Sequence, residues 1–136
     1  MGTCFVSMPP GPSFDAYYKI FARAILQVGL EVARAADIDH PRVMRDQIFT
    51  GVANASVCIV DLTQRNITPV YVLGLAHGMG KPVIQLVQNE NDLPFDLRYA
   101  QHLVYRPGAA RWEDMLTLQL QNALRQTVAV SPGRAL

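Results

Sequence analysis

The sequence is short of the features that announce a specialised class. It has two cysteines, Cys4 and Cys58, in 136 residues. Both lie in apolar, strand-like runs with no second Cys or His at ligand spacing. Neither a disulfide framework nor a metal site is expected. They read as buried, reduced thiols of a cytoplasmic protein. An excess of one charge is missing too: 12 Lys+Arg face 11 Asp+Glu, for a net charge of +1. No strong nucleic-acid signal follows from that balance. No run reaches the roughly 18 apolar residues of a membrane helix, so no membrane association is expected. The N-terminus has no charged region leading into an apolar core, and no secretory signal is expected. Val6 stands where a myristoylation motif needs Ser or Thr. GxGxxG and GxxxxGK[ST] are both absent, which removes the dinucleotide fingerprint and the P-loop. No repeat or linker divides the chain. Residues 1–128 read as one domain and 129–136 as a flexible tail.

What is present is a regular alternation. Half of the residues are hydrophobic, enough for a real core. Thr3–Met8 is a short apolar run of the kind buried in parallel sheets. Pro9-Pro10-Gly11-Pro12 stops it. Ser13 is placed as a helix N-cap, with Asp15 in the first turn. Phe14, Tyr17, Tyr18, Phe21, Ile25 and Val28 recur at three and four residues, so a helix runs to about Val28 and stops at Gly29. Leu30–Arg34 is a second strand and Ala35–His40 a polar loop. Pro41 opens a helix with Met44, Ile48 and Val52 inside. Ser56–Val60 is a third, central strand. Asp61–Thr68 is a loop, and Thr68-Pro69 is placed as cap and first turn of a helix reaching His77. Pro82–Val87 and His102–Tyr105 are strands four and five. Gln88–Asp92 is a loop and Leu93–Ala100 a short helix or turn. Trp112, Leu116, Leu120, Ala123 and Leu124 mark the last helix. From Ser131-Pro132-Gly133 onward the periodic pattern is lost.

Strands alternating with helices predict an α/β three-layer sandwich around a five-stranded parallel sheet. Right-handed crossovers favour the flavodoxin-like order 2-1-3-4-5. In that order a ligand crevice lies at the carboxyl ends of strands one and three. Two loops border it, Ser7–Ser13 and Asp61–Thr68. The first, with Ser7, Met8, Pro9 and Phe14, has three prolines and few N–H donors. It suits shape and apolar contact with a flat ring. The second carries the polar groups. Asp61 either accepts hydrogen bonds from a sugar hydroxyl or base amine, or caps its own turn through Thr63. Asn66 has the same two readings, ligand or turn. Arg34 either reaches an anionic group or is a solvated surface residue. His77 reads as a buried structural histidine, away from the strand ends.

Four segments then carry a resemblance: CFVSMPPGPSFDAYY, ASVCIVDLTQRN, VYVLGLAHGMGKPVI and DLPFDLRYAQHLVY. Taken in order, they resemble the nucleoside 2-deoxyribosyltransferase-like superfamily, including its small bacterial TIR-like members. The resemblance covers nearly the whole chain. It implies a flavodoxin-like fold, a homo-oligomer and chemistry at an N-glycosidic bond. In the family pattern a Glu within Tyr-Glu-Leu-Gly attacks the anomeric carbon, and a carboxylate is needed to form the glycosyl ester. Tyr71, Leu73 and Gly74 match that segment, and Asp61 matches the nucleoside-holding Asp. The Glu position is Val72, which has no charge, lone pair or proton to offer. Ile67 also replaces a family Pro, with Pro69 nearby instead. The expectation is therefore a nucleoside- or nucleotide-binding domain, a pseudoenzyme that needs no cofactor. The alternative is an active transferase or hydrolase of nucleosides, nucleotides or NAD. Asp61 would then be the catalytic carboxylate, and Asp96 a second possibility that pairs more readily with Arg98.

Overall fold

The structure is a computed structural model that describes residues 2–35, 41–97 and 100–134, the side chains at 41, 95 and 129–134 excepted. Most of the expected Ala35–His40 loop, and the Asp96–Arg98 pairing, lie outside the described residues.

Among the described residues five strands and four α-helices follow in the order β1 (Thr3–Ser7), α1 (Pro12–Gln27), β2 (Glu31–Ala33), α2 (Pro41–Asn54), β3 (Val57–Asp61), α3 (Ile67–Gly78), β4 (Val83–Val87), β5 (Leu103–Val104) and α4 (Trp112–Arg134), with only 3-10 turns between β4 and β5. The sheet is wholly parallel in the order β2-β1-β3-β4-β5, as the alternation predicts. In register, Ser7 sits beside Val60, and Asp61 beside Leu86. The carboxyl ends of β1, β3 and β4 therefore form one edge.

Alternate strand residues feed two cores, because successive side chains leave opposite faces of a sheet. Cys4, Val6, Ile59 and Leu86 pack with Phe21 and Ile25 of α1 and with Leu116, Leu120 and Leu124 of α4. On the other face Phe5, Cys58, Val60 and Val87 pack with Ile48 and Val52 of α2 and with Val72, Leu73 and Ala76 of α3. β3 is buried along its whole length, as a central parallel strand must be.

Two caps differ from expectation. The N-cap of α1 is Gly11, not Ser13. Its φ of 124° is open to glycine, and Pro12 takes the first helical position, where no N–H is needed. Ser13 is consequently inside the helix. The cap of α3 is Asn66, not Thr68: its Oδ1 accepts the Thr68 backbone N–H at 3.2 Å. Pro69 is then the third helical residue, still within the turn whose N–H groups lack partners. At the other end, the α4 backbone continues through Ser131-Pro132-Gly133 to Arg134. Among the described residues no helix is long and apolar enough to cross a membrane.

Candidate functional site

A crevice of about 120 Å³ opens at the carboxyl end of β1, on the α2/α3 face of the sheet. Its floor is Phe5 and Ser7, which point to the same face because they are two residues apart on β1. Met44 and Ile48 of α2 form one wall, and the turn Met8–Gly11 forms another. Thr68, in the first turn of α3, closes one end. Arg34 and Asp15 stand at the rim.

The wall mixes apolar side chains with the polar groups of Ser7, Asp15, Arg34 and Thr68. Ser7 is 7% exposed, and its hydroxyl has no hydrogen-bond partner among the described residues. A hydroxyl that opens on a cavity wall is a group available to a ligand. Arg34 is held in place from two sides. Its guanidinium carbon lies 4.0 Å from the centroid of the Tyr18 ring, and its Nη2 is 3.6 Å from Asp15 Oδ1.

The tip of β3 is built differently. Asp61 is 0% exposed. Its Oδ1 accepts from the Thr63 N–H at 3.0 Å and from Thr63 Oγ1 at 2.5 Å. Its Oδ2 accepts a short hydrogen bond from the Tyr105 hydroxyl. Thr63 Oγ1 in turn accepts from the Gln88 N–H at 3.1 Å, and Gln88 Nε2 donates to Tyr105 Oη at 3.1 Å. This polar clasp ties together the ends of β3, β4 and β5. Burial pushes the Asp61 carboxyl above its ordinary value of 3.8, and the Thr63 and Tyr105 donors pull it back. Burial and the adjacent Asp61 charge push the Tyr105 hydroxyl well above its usual range.

The segment after the clasp is strained. Gln64 (φ 64°) and Arg65 (φ 53°) are consecutive non-glycine residues in the left-handed region. They are held from outside: the Gln64 N–H donates to Asp92 Oδ2 at 2.8 Å, and Arg65 Nη2 to the Asn91 carbonyl at 2.9 Å. That turn delivers Asn66 to its capping position.

Of the residues singled out by sequence, the crevice brings together Ser7, Met8, Pro9 and Arg34. It does not bring in the others. Phe14 is buried edge-on against Tyr17, with centroids 5.4 Å apart. Asp61 and Thr63 are committed to the clasp, and Asn66 Oδ1 to the cap. Tyr71 is 48% exposed on the outer side of α3. Val72 is 0% exposed in the core beneath, not in the crevice wall. His77 is on the exposed side of α3, so the reading of a buried structural histidine is corrected. Sequence reasoning placed Thr68 at the end of a bordering loop and missed Asp15, Met44 and Ile48 in the crevice, and Gln88 and Tyr105 in the clasp. Met44 and Ile48 had a signal, since the helical spacing already turned them inward. Tyr105 had none, because it meets Asp61 from 44 positions away.

No protein-family model and no curated protein matches the sequence. Solved structures do match. A CMP N-glycosidase, BcmB, from Clostridium botulinum is similar over 89% of this chain and 98% of its own, with 14% identity and a TM-score of 0.67. A 2-desoxiribosyltransferase from Leishmania mexicana is similar over 65% of this chain, with 16% identity and a TM-score of 0.56. The matched region spans 66% of that enzyme, just under two thirds of its length. A putative pilus assembly-related protein from Burkholderia pseudomallei is similar over 95% of this chain and 90% of its own, at 15% identity and a TM-score of 0.57. The shared property is the fold. It is the fold of a 2-desoxiribosyltransferase and of a CMP N-glycosidase, and it agrees with the flavodoxin-like fold that the sequence segments imply.

Proposed function

We propose that this chain binds a nucleoside or nucleotide in the β1 crevice and does not carry out glycosyl transfer. The observation that carries the reading is position 72. A carboxylate nucleophile must reach the anomeric carbon. The residue at the matching position is a valine buried in the core. The positive side rests on the crevice itself. Phe5, Pro9, Met44 and Ile48 offer apolar contact for a flat ring, and Ser7 adds one uncommitted hydroxyl. Its volume is well below the roughly 300–1,000 Å³ of pockets that enclose a whole drug-sized ligand. It suits one ring, with the rest of the molecule at the mouth. Two proteins with the same fold are named for work on a nucleotide and on deoxyribosyl transfer, which supports the ligand class.

The enzyme reading would run through Asp61, with Asp96 as its second carboxylate, or through Asp15, which lines the crevice. Asp61 is enclosed by its clasp. Asp15 is at the rim, paired with Arg34. A homo-oligomer belongs to the same proposal: Ile67, Val70 and Tyr71 expose an apolar strip along α3 that a second copy would cover. The cytoplasmic setting belongs to it as well.

The test is a thermal-shift screen with nucleosides, nucleoside monophosphates and NAD, paired with chromatography for released base. A ligand at 100 times its Kd adds about 2.7 kcal/mol to stability. For 136 residues that is a rise of roughly 9 °C. The expected result is such a shift with no base release above the uncatalysed rate. Base release that disappears in Asp61→Asn or Asp15→Asn would overturn the reading.

A further inference from the structure

A second groove, of about 360 Å³, lies between the start of β4, the entry to β5 and α4. It exists because β5 is short. β5 is in register with Leu86 and Val87 of β4 alone, so Val83–Gln85 has a strand partner only on the β3 side. The notch this leaves is lined by Gln119, Asn122 and Gln126, at spacings of three and four along one face of α4. Gln101, from the segment before β5, lines it as well. None of these four carboxamides has a hydrogen-bond partner among the described residues. Ile84, Leu103 and Ala123 give the groove an apolar floor and pack with the core that α4 shares. Gln85 also borders it, is 5% exposed, and has a buried Oε1 with no hydrogen-bond partner among the described residues. A buried oxygen of this kind lacks a donor, and the groove is the cavity beside its residue. Among the described lining residues there is no Asp, Glu, Lys or Arg, and no ring but the His102 imidazole. Both nitrogens of that ring are engaged, by the Ala100 carbonyl at 2.9 Å and by Glu90 Oε2 at 2.6 Å.

We propose that this groove binds a neutral hydroxylated ring of monosaccharide size. The site is separate from the β1 crevice, and the proposal does not rest on the nucleotide-binding reading. A hydroxyl both donates and accepts hydrogen bonds, and so does a carboxamide. A row of carboxamides therefore complements a ring of neighbouring hydroxyls. The apolar floor takes the C–H face of the ring. An ionic ligand would leave water here without meeting a counter-charge. A flat base would find no aromatic or guanidinium plane on which to stack. The volume is at the lower end of the roughly 300–1,000 Å³ of small-molecule sites, which is room for one sugar ring with its hydroxyls.

The experiment is calorimetric titration of the full chain with glucose, galactose, mannose and myo-inositol, beside the charged glucose 6-phosphate, glucuronate and glucosamine. Calorimetry is chosen because sugars raise the Tm of folded proteins in general, by exclusion from their surfaces. The expected result is that at least one neutral ligand binds with a Kd of about 0.1–10 mM, and that the charged ones bind about tenfold more weakly or worse. Asn122→Ala combined with Gln126→Ala weakens the neutral ligand by about tenfold or more. Gln101→Ala, on a different element, weakens the same ligand. All three side chains are exposed, and alanine suits the helix, so the variants fold, which circular dichroism confirms. No binding of any neutral ligand at about 50 mM overturns the proposal. So does a charged ligand that binds as tightly, or a neutral one that the α4 double variant binds as the native chain does. Each of these outcomes leaves the nucleotide-binding reading of the β1 crevice intact.

Discussion

Tyr105→Phe tests the clasp at the tip of β3. The substitution deletes one hydroxyl and keeps the ring. Tyr105 packs edge-on against Tyr17 and Phe21, with centroids at 5.7 and 5.9 Å, and phenylalanine keeps both contacts. No cavity opens, so the cost is electrostatic. Asp61 Oδ2 loses its donor at a site with no water contact, while Oδ1 keeps both Thr63 bonds. A hydrogen bond to a charged group contributes about 1.5–3 kcal/mol, and a buried oxygen left without one adds to the loss. The expected cost is about 2–3 kcal/mol. For a chain of this length the unfolding entropy is about 0.29 kcal/mol/K, which puts the fall in Tm near 7–10 °C.

The pH dependence gives a second, independent readout. Burial already raises the folded-state Asp61 carboxyl above 3.8, against the pull of its donors. Without Tyr105 it rises further. Between 3.8 and the folded value, the folded chain keeps a proton that the unfolded chain has released. Stability from this group therefore falls as pH rises through that window. The deficit of Tyr105→Phe is largest at neutral pH and shrinks on acidification, once the carboxyl is neutral. Denaturant unfolding from pH 7 down to the acid limit of the native fold measures it. In an Asp61→Asn background the same substitution costs less, because the two act on one bond. A cost below about 0.5 kcal/mol at pH 7, or a deficit that does not change with pH, would refute the reasoning.

Four further outcomes follow from the same geometry. Val72→Glu puts an unpaired charge among Val60, Leu62 and Leu73, so it costs about 4 kcal/mol or more and gives no base release; a folded variant of native stability would contradict the burial. Gly51→Ala brings a methyl to 2.3 Å from the Phe5 ring, so Phe5 must shift toward the crevice, at a cost of about 1–3 kcal/mol in denaturant unfolding and with weaker ligand binding. His102 has the Ala100 carbonyl and Glu90 carboxylate on its two ring nitrogens, an arrangement that favours the doubly protonated ring and raises it above 6.5; its contribution is complete below pH 6.5 and lost as pH climbs through the folded value, a change of up to about 1 kcal/mol because Glu90 is exposed, which Glu90→Gln reduces and does not abolish because the Ala100 carbonyl remains. Burial pushes Cys58 up to about 11 and Cys4 higher still, so neither is alkylated by iodoacetamide at pH 8 until denaturant is added.

The fold was legible because its signal is repeated. Apolar runs such as Ser56–Val60 and inward helical spacings such as Met44, Ile48 and Val52 each point to the same layer, and right-handed crossovers leave few strand orders. The place of the crevice was legible for the same reason, since it follows from the order of strands. Which strand tip faces it was not. β1 ends in prolines that cannot be roofed by further hydrogen bonds, so Ser7 stays open to the crevice. β3 ends in Asp61, and its roof comes from Tyr105, far along the chain. Local sequence carries no trace of that pairing. The caps failed on a smaller scale. Ser13 and Thr68 are good capping residues, but Gly11 and Asn66 stand nearer the points where the backbone turns.

Position 72 joins the two scales. Along α3 the buried residues are Pro69, Val72, Leu73 and Ala76, at spacings of three, one and three. That stripe faces the sheet, and Ile67, Val70 and Tyr71 face away from it. Val72 shares its core with Phe5, Val60 and Leu62, and Asp61, the nearest carboxylate in sequence, is bound into its clasp. A glutamate at 72 would therefore enter an apolar core and not the crevice wall. An ionised carboxyl placed there would lack the partners that solvate and aim it, so the acid alone does not make a nucleophile at this position. The same packing sets Phe5 as an apolar floor beside Ser7.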